Sequence, residues 1–263
     1  MDAHSASPAV NVSSFSVKLG AYVGETYRVL AGWDVNRTDA DNFASVLATN
    51  SVGASSDAWL RDIIRSISQR YAPAGRDRAL VDLAAGGCPI ETWRPILLWH
   101  LTRRQFLLSD FLMNWLQPAR ESGLAVVRTP DLYPHLATLH ERGGHVARPW
   151  TPETTRRVSN GLLKSAVEFG HLEGSLTRRF RTPVLPDNAV IYVAHALHEV
   201  TPRGSDVVNA PEWRLYALSP GAVERELLRL HQFGRLRYEV AGSLAQLTLP
   251  QPTALDFART LVP

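Results

Sequence analysis

The sequence predicts a mostly α fold: a multi-helix N-terminal region, then winged helix-turn-helix modules with a short β-hairpin wing in the C-terminal half. Three observations predict it. Apolar residues recur at helical spacing from about residue 21 to about residue 120. Two later segments open with the same helix-start signature, Thr151-Pro152 and Ser219-Pro220. The stretch "HQFGRLRYEVAGSLAQLTLP", His231 to Pro250, leaves helical spacing after Gly234 and alternates strictly around Gly242-Ser243. With 45% hydrophobic and 20% charged residues over 263 positions, the chain can bury the core of one large or two modest domains.

Residues 1–20 are Ser/Ala-rich, with neither a basic n-region nor an apolar h-region. They read as disordered or loosely attached, and their composition is not that of a secretion signal. Residues 21–125 read as a helical domain. Thr38 or Asp39 caps a helix running to about Asn50. Ser55 or Ser56 caps the next, in which Trp59, Ile63, Ile64 and Ile67 form an apolar stripe. A short helix over "DRALVDLAA" stops at Gly86-Gly87. "PILLWHLTRRQFLLSDFLMNWL", Pro95 to Leu116, is long enough to span a bilayer, but His100, Arg103, Arg104 and Asp110 interrupt it. Each central charge costs about 2.5–3.5 kcal/mol on insertion scales, so a buried helix pair breaking near Thr102 is expected, with no membrane contact. Trp59, Trp93, Trp99 and Trp115 are the expected anchors of this core.

Leu124 to Val127 reads as a short strand, and a domain boundary is placed here. Residues 126–200 read as a candidate first winged-helix-like module, with a helix expected over Asp131–Gly144. A second helix starts at Thr151-Pro152, buries Val158, Leu162, Val167 and Phe169, and stops at Gly170. "SLTRRFRTPVL" follows with strand-like composition but no visible partner strand. Whether residues 151–185 are a true second copy of the module stays open. Asp187 to Val200 reads as a helix, followed by the loop "TPRGSD".

Residues 201–263 read as the C-terminal winged helix-turn-helix. A short helix from Pro211 is followed by a longer one from Ser219-Pro220, with Val223, Leu227, Leu230 and Phe233 inward. A two-residue Gly242-Ser243 turn pairs Val240 with Ala245, Glu239 with Gln246, Tyr238 with Leu247 and Arg237 with Thr248. Leu236, Tyr238, Val240, Ala245, Leu247 and Leu249 then share one face, and a one-residue slip would scatter them. Gly at the first turn position fits a type II′ turn.

Of 28 basic residues, only Lys18 and Lys164 are lysines. Arginine suits phosphate through its planar fork, although a GC-rich genome also replaces lysine with arginine. Arg156, Arg157, Lys164, Arg178, Arg179 and Arg181 place six cations within 26 residues, against Glu153, Glu168 and Glu173. Such a cluster suits phosphate contacts, which set affinity rather than sequence choice; a solvated helix face is the competing explanation. In the second segment the candidate contacts are Arg225 and Arg229 on the helix and Arg235 and Arg237 on the wing, offset by Glu224, Glu226 and Glu239.

Enzyme signatures are thin. There is no GxSxG, phosphate-binding glycine loop or HExxH. His135, His140 and His145 recur every five residues, and His195 and His198 could share a helix face, but no acidic or Cys partner stands at ligand spacing. The single Cys88 excludes an internal disulfide and a Cys-based zinc site, leaving the cytoplasm as the expected compartment. No enzyme activity, metal or cofactor is expected.

The run "GLLKSAVEFGHLEG…PVLPDNAVIYVAHALHEV…APEWRLYALSPGAVERELLRLHQFGRLRYEVAGSLAQLTL" resembles the C-terminal half of the BrxA family of BREX bacteriophage-exclusion systems. "ETYRVLAGWDV" and "SVLATNSVGASSDAWLRDIIRSISQRY" are similar to the family in order of features. The resemblance covers most of residues 20–250, most strongly 161–249. It implies a small, mostly helical, non-catalytic protein that binds double-stranded DNA beside a methyltransferase, a phosphatase-like protein and a large ATPase. It carries no active-site motif. DNA binding with little sequence specificity is the leading expectation, with a salt slope of roughly −4 to −5 for about four to six neutralised phosphates. The alternatives are a protein-interaction adaptor whose winged helices assemble the defence complex, and, behind it, a metal- or His-dependent enzyme.

Overall fold

The computed structural model describes residues 10–14, 20–242 and 244–263. The expectation for the N-terminal stretch therefore lies largely outside the described residues, as does Ser243 of the turn. In chain order the elements begin with β1 (Val10–Asn11), α1 (Val23–Ala31), α2 (Asp39–Thr49), α3 (Asp57–Arg70), α4 (Arg78–Ala85) and α5 (Ile90–Thr102). Next come α6 (Phe106–Asp110), a π-helical turn at Phe111–Leu116, α7 (Gln117–Glu121), β2 (Val126–Val127), α8 (Tyr133–Ala137) and β3 (Gly144–His145). Then follow α9 (Pro152–Glu168), β4 (Leu172–Glu173), β5 (Arg178–Phe180), α10 (Asp187–His198) and α11 (Gly204–Asn209). The chain closes with α12 (Pro220–Gln232), β6 (Arg237–Ala241), β7 (Leu244–Thr248) and α13 (Ala254–Thr260). The fold is mostly α with small antiparallel strand pairs in the C-terminal half.

The local signals act as their chemistry requires. Thr38, Ser56, Thr151 and Ser219 each accept a backbone N–H two or three residues into the helix they cap. The Trp/Leu-rich run breaks after Thr102, and no helix among the described residues is long and apolar enough to cross a membrane.

The chain forms two compact units. Unit 1 is Met1–Tyr22 with Thr102–Thr182, and unit 2 is Val23–Leu101 with Pro183–Pro263. The sequence-expected bounds at 125/126 and 200/201 fall within the continuous segments of these units.

Unit 2 packs α1, α3, α4 and α5 around Leu30, Ile63, Ile67, Leu80, Trp93 and Leu97, all fully buried. Trp93 donates its indole N–H to the Leu80 carbonyl at 3.0 Å and takes the Tyr27 ring edge-on. Helix α10 is buried continuously from Ala189 to His195, as a helix apolar on all sides must be. The β6–β7 hairpin has the register read from the sequence, from Arg237↔Thr248 to Ala241↔Leu244, and Gly242 has φ of 61°. Leu236, Tyr238 and Leu247 are buried.

Three expectations in unit 2 are corrected. Val240 is 47% exposed, although it lies on the face the alternation assigns to the core. Phe233 is 69% exposed: α12 ends at Gln232, and Gly234 turns the chain away with φ of 65°. The expected loop at 201–206 gives way to α11 from Gly204. A Cβ on Gly204 would lie 2.6 Å from the Ala245 carbonyl oxygen, so only glycine lets α11 close on β7.

Unit 1 is built on α9, which buries Val158, Leu162, Leu163 and Ala166. Its sheet has the order β2–β5–β4, antiparallel throughout, with Leu172 opposite Phe180 and Val127 opposite Arg178. The partner strand missing from the sequence reading of "SLTRRFRTPVL" is thus β4, only two residues long. A separate parallel pair joins β1 to β3. The helix expected over Asp131–Gly144 is corrected to 3-10 turns at Thr129–Leu132 and Leu139–Arg142 flanking α8. Arg142 is the physical reason: its guanidinium takes the Thr138 and His135 carbonyls, acceptors a continuous helix would use itself.

Candidate nucleic-acid interface

Positive charge is segregated between the units. Unit 1 carries 13 Lys/Arg against 8 Asp/Glu, and unit 2 carries 15 against 17. The overall +3 is therefore a net +5 on the smaller unit and −2 on the larger.

The helical period of α9 puts Glu153 one turn before Arg156 and Arg157. Arg156 donates to both Glu153 oxygens at 2.8 Å, and Arg157 Nε donates to Oε1 at 2.7 Å. These donors hold the Glu153 carboxyl down at about 2, so it is ionised at neutral pH. Two cations share one anion and leave one positive charge. Lys164 lies 4.0 Å from Glu168, whose carboxylate also accepts the Ala21 N–H, and its ammonium sits over the Tyr22 ring.

Strand β5 divides its arginines by alternation. Arg179 points outward and is exposed. Arg178 points inward, is 7% exposed, and has no hydrogen-bond partner for Nε or Nη1 among the described residues. Burial pulls the Arg178 pKa down. Both are expected from the sequence as phosphate contacts; the period-2 geometry separates them. Arg181 is exposed, 3.6 Å from Glu173. Arg120, absent from the sequence reading, lies over Phe180 and donates to the carbonyls of His171 and Arg181, tying α7 to the β4–β5 hairpin.

In unit 2 the candidate cations are largely offset. Arg229 is held by Asp187 and Glu226, and Arg237 by Glu239 at 3.0 Å. Arg229 in turn holds the Asp187 carboxyl below its usual range. Arg235 donates to Asn188 Oδ1 at 2.6 Å, and Arg225 is exposed with no ion pair among the described residues. Two apolar side chains share this surface of α12 with them: Leu228, 39% exposed, and Phe233 beside Arg229.

The histidines serve packing and polar networks. His135 lies 2.9 Å from Asp110, which also accepts from Arg142 and Asn114, at the start of the π-helical turn. His100 joins buried Asp77 (2.7 Å) to the Tyr192 hydroxyl (2.7 Å). His195 is buried, stacks on Phe257, and is pushed down to about 4, mainly by desolvation. Burial raises the Cys88 thiol to about 11, unlike an activated nucleophile. Among the described residues no group of three or more His, Cys, Asp or Glu side chains is arranged to hold a metal ion. His140 and His145 instead line a cavity of about 410 Å³ in unit 1, with Tyr133 and Trp150. Spacing alone did not find this cavity, because its residues come from three short elements, a loop and Thr155 of α9.

No curated protein and no solved structure matches the chain. The family model described as BrxA matches residues 13–196, which ends within α10 and before α11 and the hairpin. That match spans more than half of the chain, so the chain belongs to the BrxA family and has a role associated with BREX bacteriophage-exclusion systems.

Proposed function

We propose that the chain is a non-catalytic, double-stranded-DNA-binding component of its BREX system, which holds DNA mainly by phosphate contacts and with little sequence specificity. The carrying observation is the net +5 of unit 1, with Arg156, Arg157, Lys164, Arg179 and Arg181 exposed on α9 and around β5. Phosphate contacts need exposed cations on a scaffold and no particular base-reading side chain. The order α11, a 3-10 helix at Pro211–Tyr216, α12, β6–β7 hairpin supports a winged helix-turn-helix reading of the C-terminal segment. Its near-neutral outer face gives that module a secondary part in DNA affinity.

The test is a fluorescence-anisotropy titration of a 20-base-pair duplex at several salt concentrations. About four or five neutralised phosphates give a slope of log K against log[salt] of roughly −3.6 to −4.5. Unrelated duplexes should bind within a few-fold of one another. No binding at 50 mM salt would sink the proposal.

A second reading rests on Leu228 and Phe233. Exposed apolar residues beside a neutralised arginine suit a protein partner better than a phosphate backbone. In that reading α12 docks another defence component, such as the methyltransferase, the phosphatase-like protein or the ATPase. Phe233→Ala with Leu228→Ser would then break co-purification and leave duplex affinity intact.

A further inference from the structure

The cavity of about 410 Å³ in unit 1 falls within the usual range of small-ligand sites, roughly 300–1,000 Å³. Its walls include Tyr133, Leu136, Leu139, His140, His145 and Trp150. Leu136 and Leu139 are buried and form an apolar floor, while Tyr133 and Trp150 are half-buried, leaving ring surface open to a ligand. Exposed His140 and His145 supply ring nitrogens that donate or accept hydrogen bonds. The floor is shaped by close packing. A Cβ on Gly144 would lie 2.7 Å from Leu139 Cγ and 2.9 Å from Phe106 Cε1, so β3 can approach only as glycine.

The setting selects the ligand. Thr155 of α9 also lines the cavity, and Arg156 and Arg157 follow it directly. Exposed Arg148 stands two residues before Trp150. A planar, apolar-faced, polar-edged group with an attached anion meets both sets of residues at once. We propose that this cavity receives one unstacked nucleobase, its faces against Trp150 and Tyr133, its edge toward His140 and His145, and its phosphate toward Arg148, Arg156 and Arg157. The inference deepens the DNA-binding reading and rests on it. Base–aromatic stacking tolerates any base, in keeping with weak sequence preference. The base can come from a single strand or from a destabilised position in a duplex, where unstacking costs least.

The experiment uses the full chain and three 20-nucleotide probes: a single strand, a perfect duplex, and the same duplex with a central mismatch. Trp150→Ala should weaken single-strand and mismatched-duplex binding roughly 5- to 150-fold, the range for losing one base–aromatic stack. Perfect-duplex affinity should change by less than about twofold, and Trp150→Phe should restore most of the loss. Circular dichroism of each variant checks folding, and Tyr133→Ala supplies the same readout if Trp150→Ala fails to fold. Equal single-strand affinity for wild type and a folded Trp150→Ala overturns the inference, as does an equal loss on all three probes. Absence of perfect-duplex binding by wild type refutes the proposed function instead. Wild-type binding to none of the probes refutes both.

Discussion

Glu153 is the residue at which the electrostatic reading can be tested most sharply. Its carboxylate accepts three N–H donors from Arg156 and Arg157 at 2.7–2.8 Å and is held down at about 2. At neutral pH Glu153→Gln therefore removes a full negative charge while keeping the shape of the side chain. If α9 lies on the phosphate backbone, both arginines become free to contact it, and the site gains one effective counterion released. The salt slope should steepen by about 0.9, from roughly −4 to roughly −5. Referred to 1 M salt, that one contact is worth about fifteenfold in affinity at 50 mM and about fourfold at 200 mM. Anisotropy titrations of the perfect duplex at both salt concentrations measure it, with circular dichroism to confirm that α9 keeps its helicity. An unchanged slope with the helix intact would show that α9 does not face phosphate, and the interface would have to be sought elsewhere.

Three more outcomes follow from the packing. Arg178→Met removes a buried guanidinium with two unpartnered nitrogens; it should stabilise the fold by about 1 kcal/mol, raising Tm by about 2–4 °C, and a lowered Tm would mean the charge has a partner. Asp77 is fully buried and accepts from Ala72, Arg76 and His100, so Asp77→Asn should cost about 3 kcal/mol in urea unfolding and Tyr192→Phe about 1–2 kcal/mol; losses that simply add would rule out a coupled Asp77–His100–Tyr192 network. His195 titrates near 4 in the fold and near 6.5 when unfolded, so the unfolded chain binds the extra proton between those values. Stability should therefore be lost as pH falls from about 6.5 to about 4, by as much as about 3 kcal/mol, and His195→Leu should flatten that part of the curve.

Legibility followed the range of each interaction. Caps were legible because a Ser or Thr oxygen needs only a backbone N–H within its own turn; Ser56, Thr151 and Ser219 required no tertiary knowledge. The hairpin register was legible because alternation and the Gly242 turn permit one sorting of apolar from polar residues. The extent of its buried face was not. Val240 obeys the alternation but is 47% exposed. Strand β4 was invisible because two residues carry no periodicity, and α11 because its glycine is a tertiary requirement set by β7.

The candidate interface divides in the same way. The sequence by itself determined the mostly helical class, the helix starts, the hairpin pairing and the cluster of cations between Arg156 and Arg181, because each depends on residues near one another in the chain. Only the tertiary structure decided which of those cations act as free charge. It turned Arg178 inward and brought Asp187 from another helix onto Arg229. It also drew Tyr133, His140, His145, Trp150 and Thr155 around one cavity. Charge pairing and enclosure depend on distances in space, and spacing along a chain constrains those distances only within a single turn or strand.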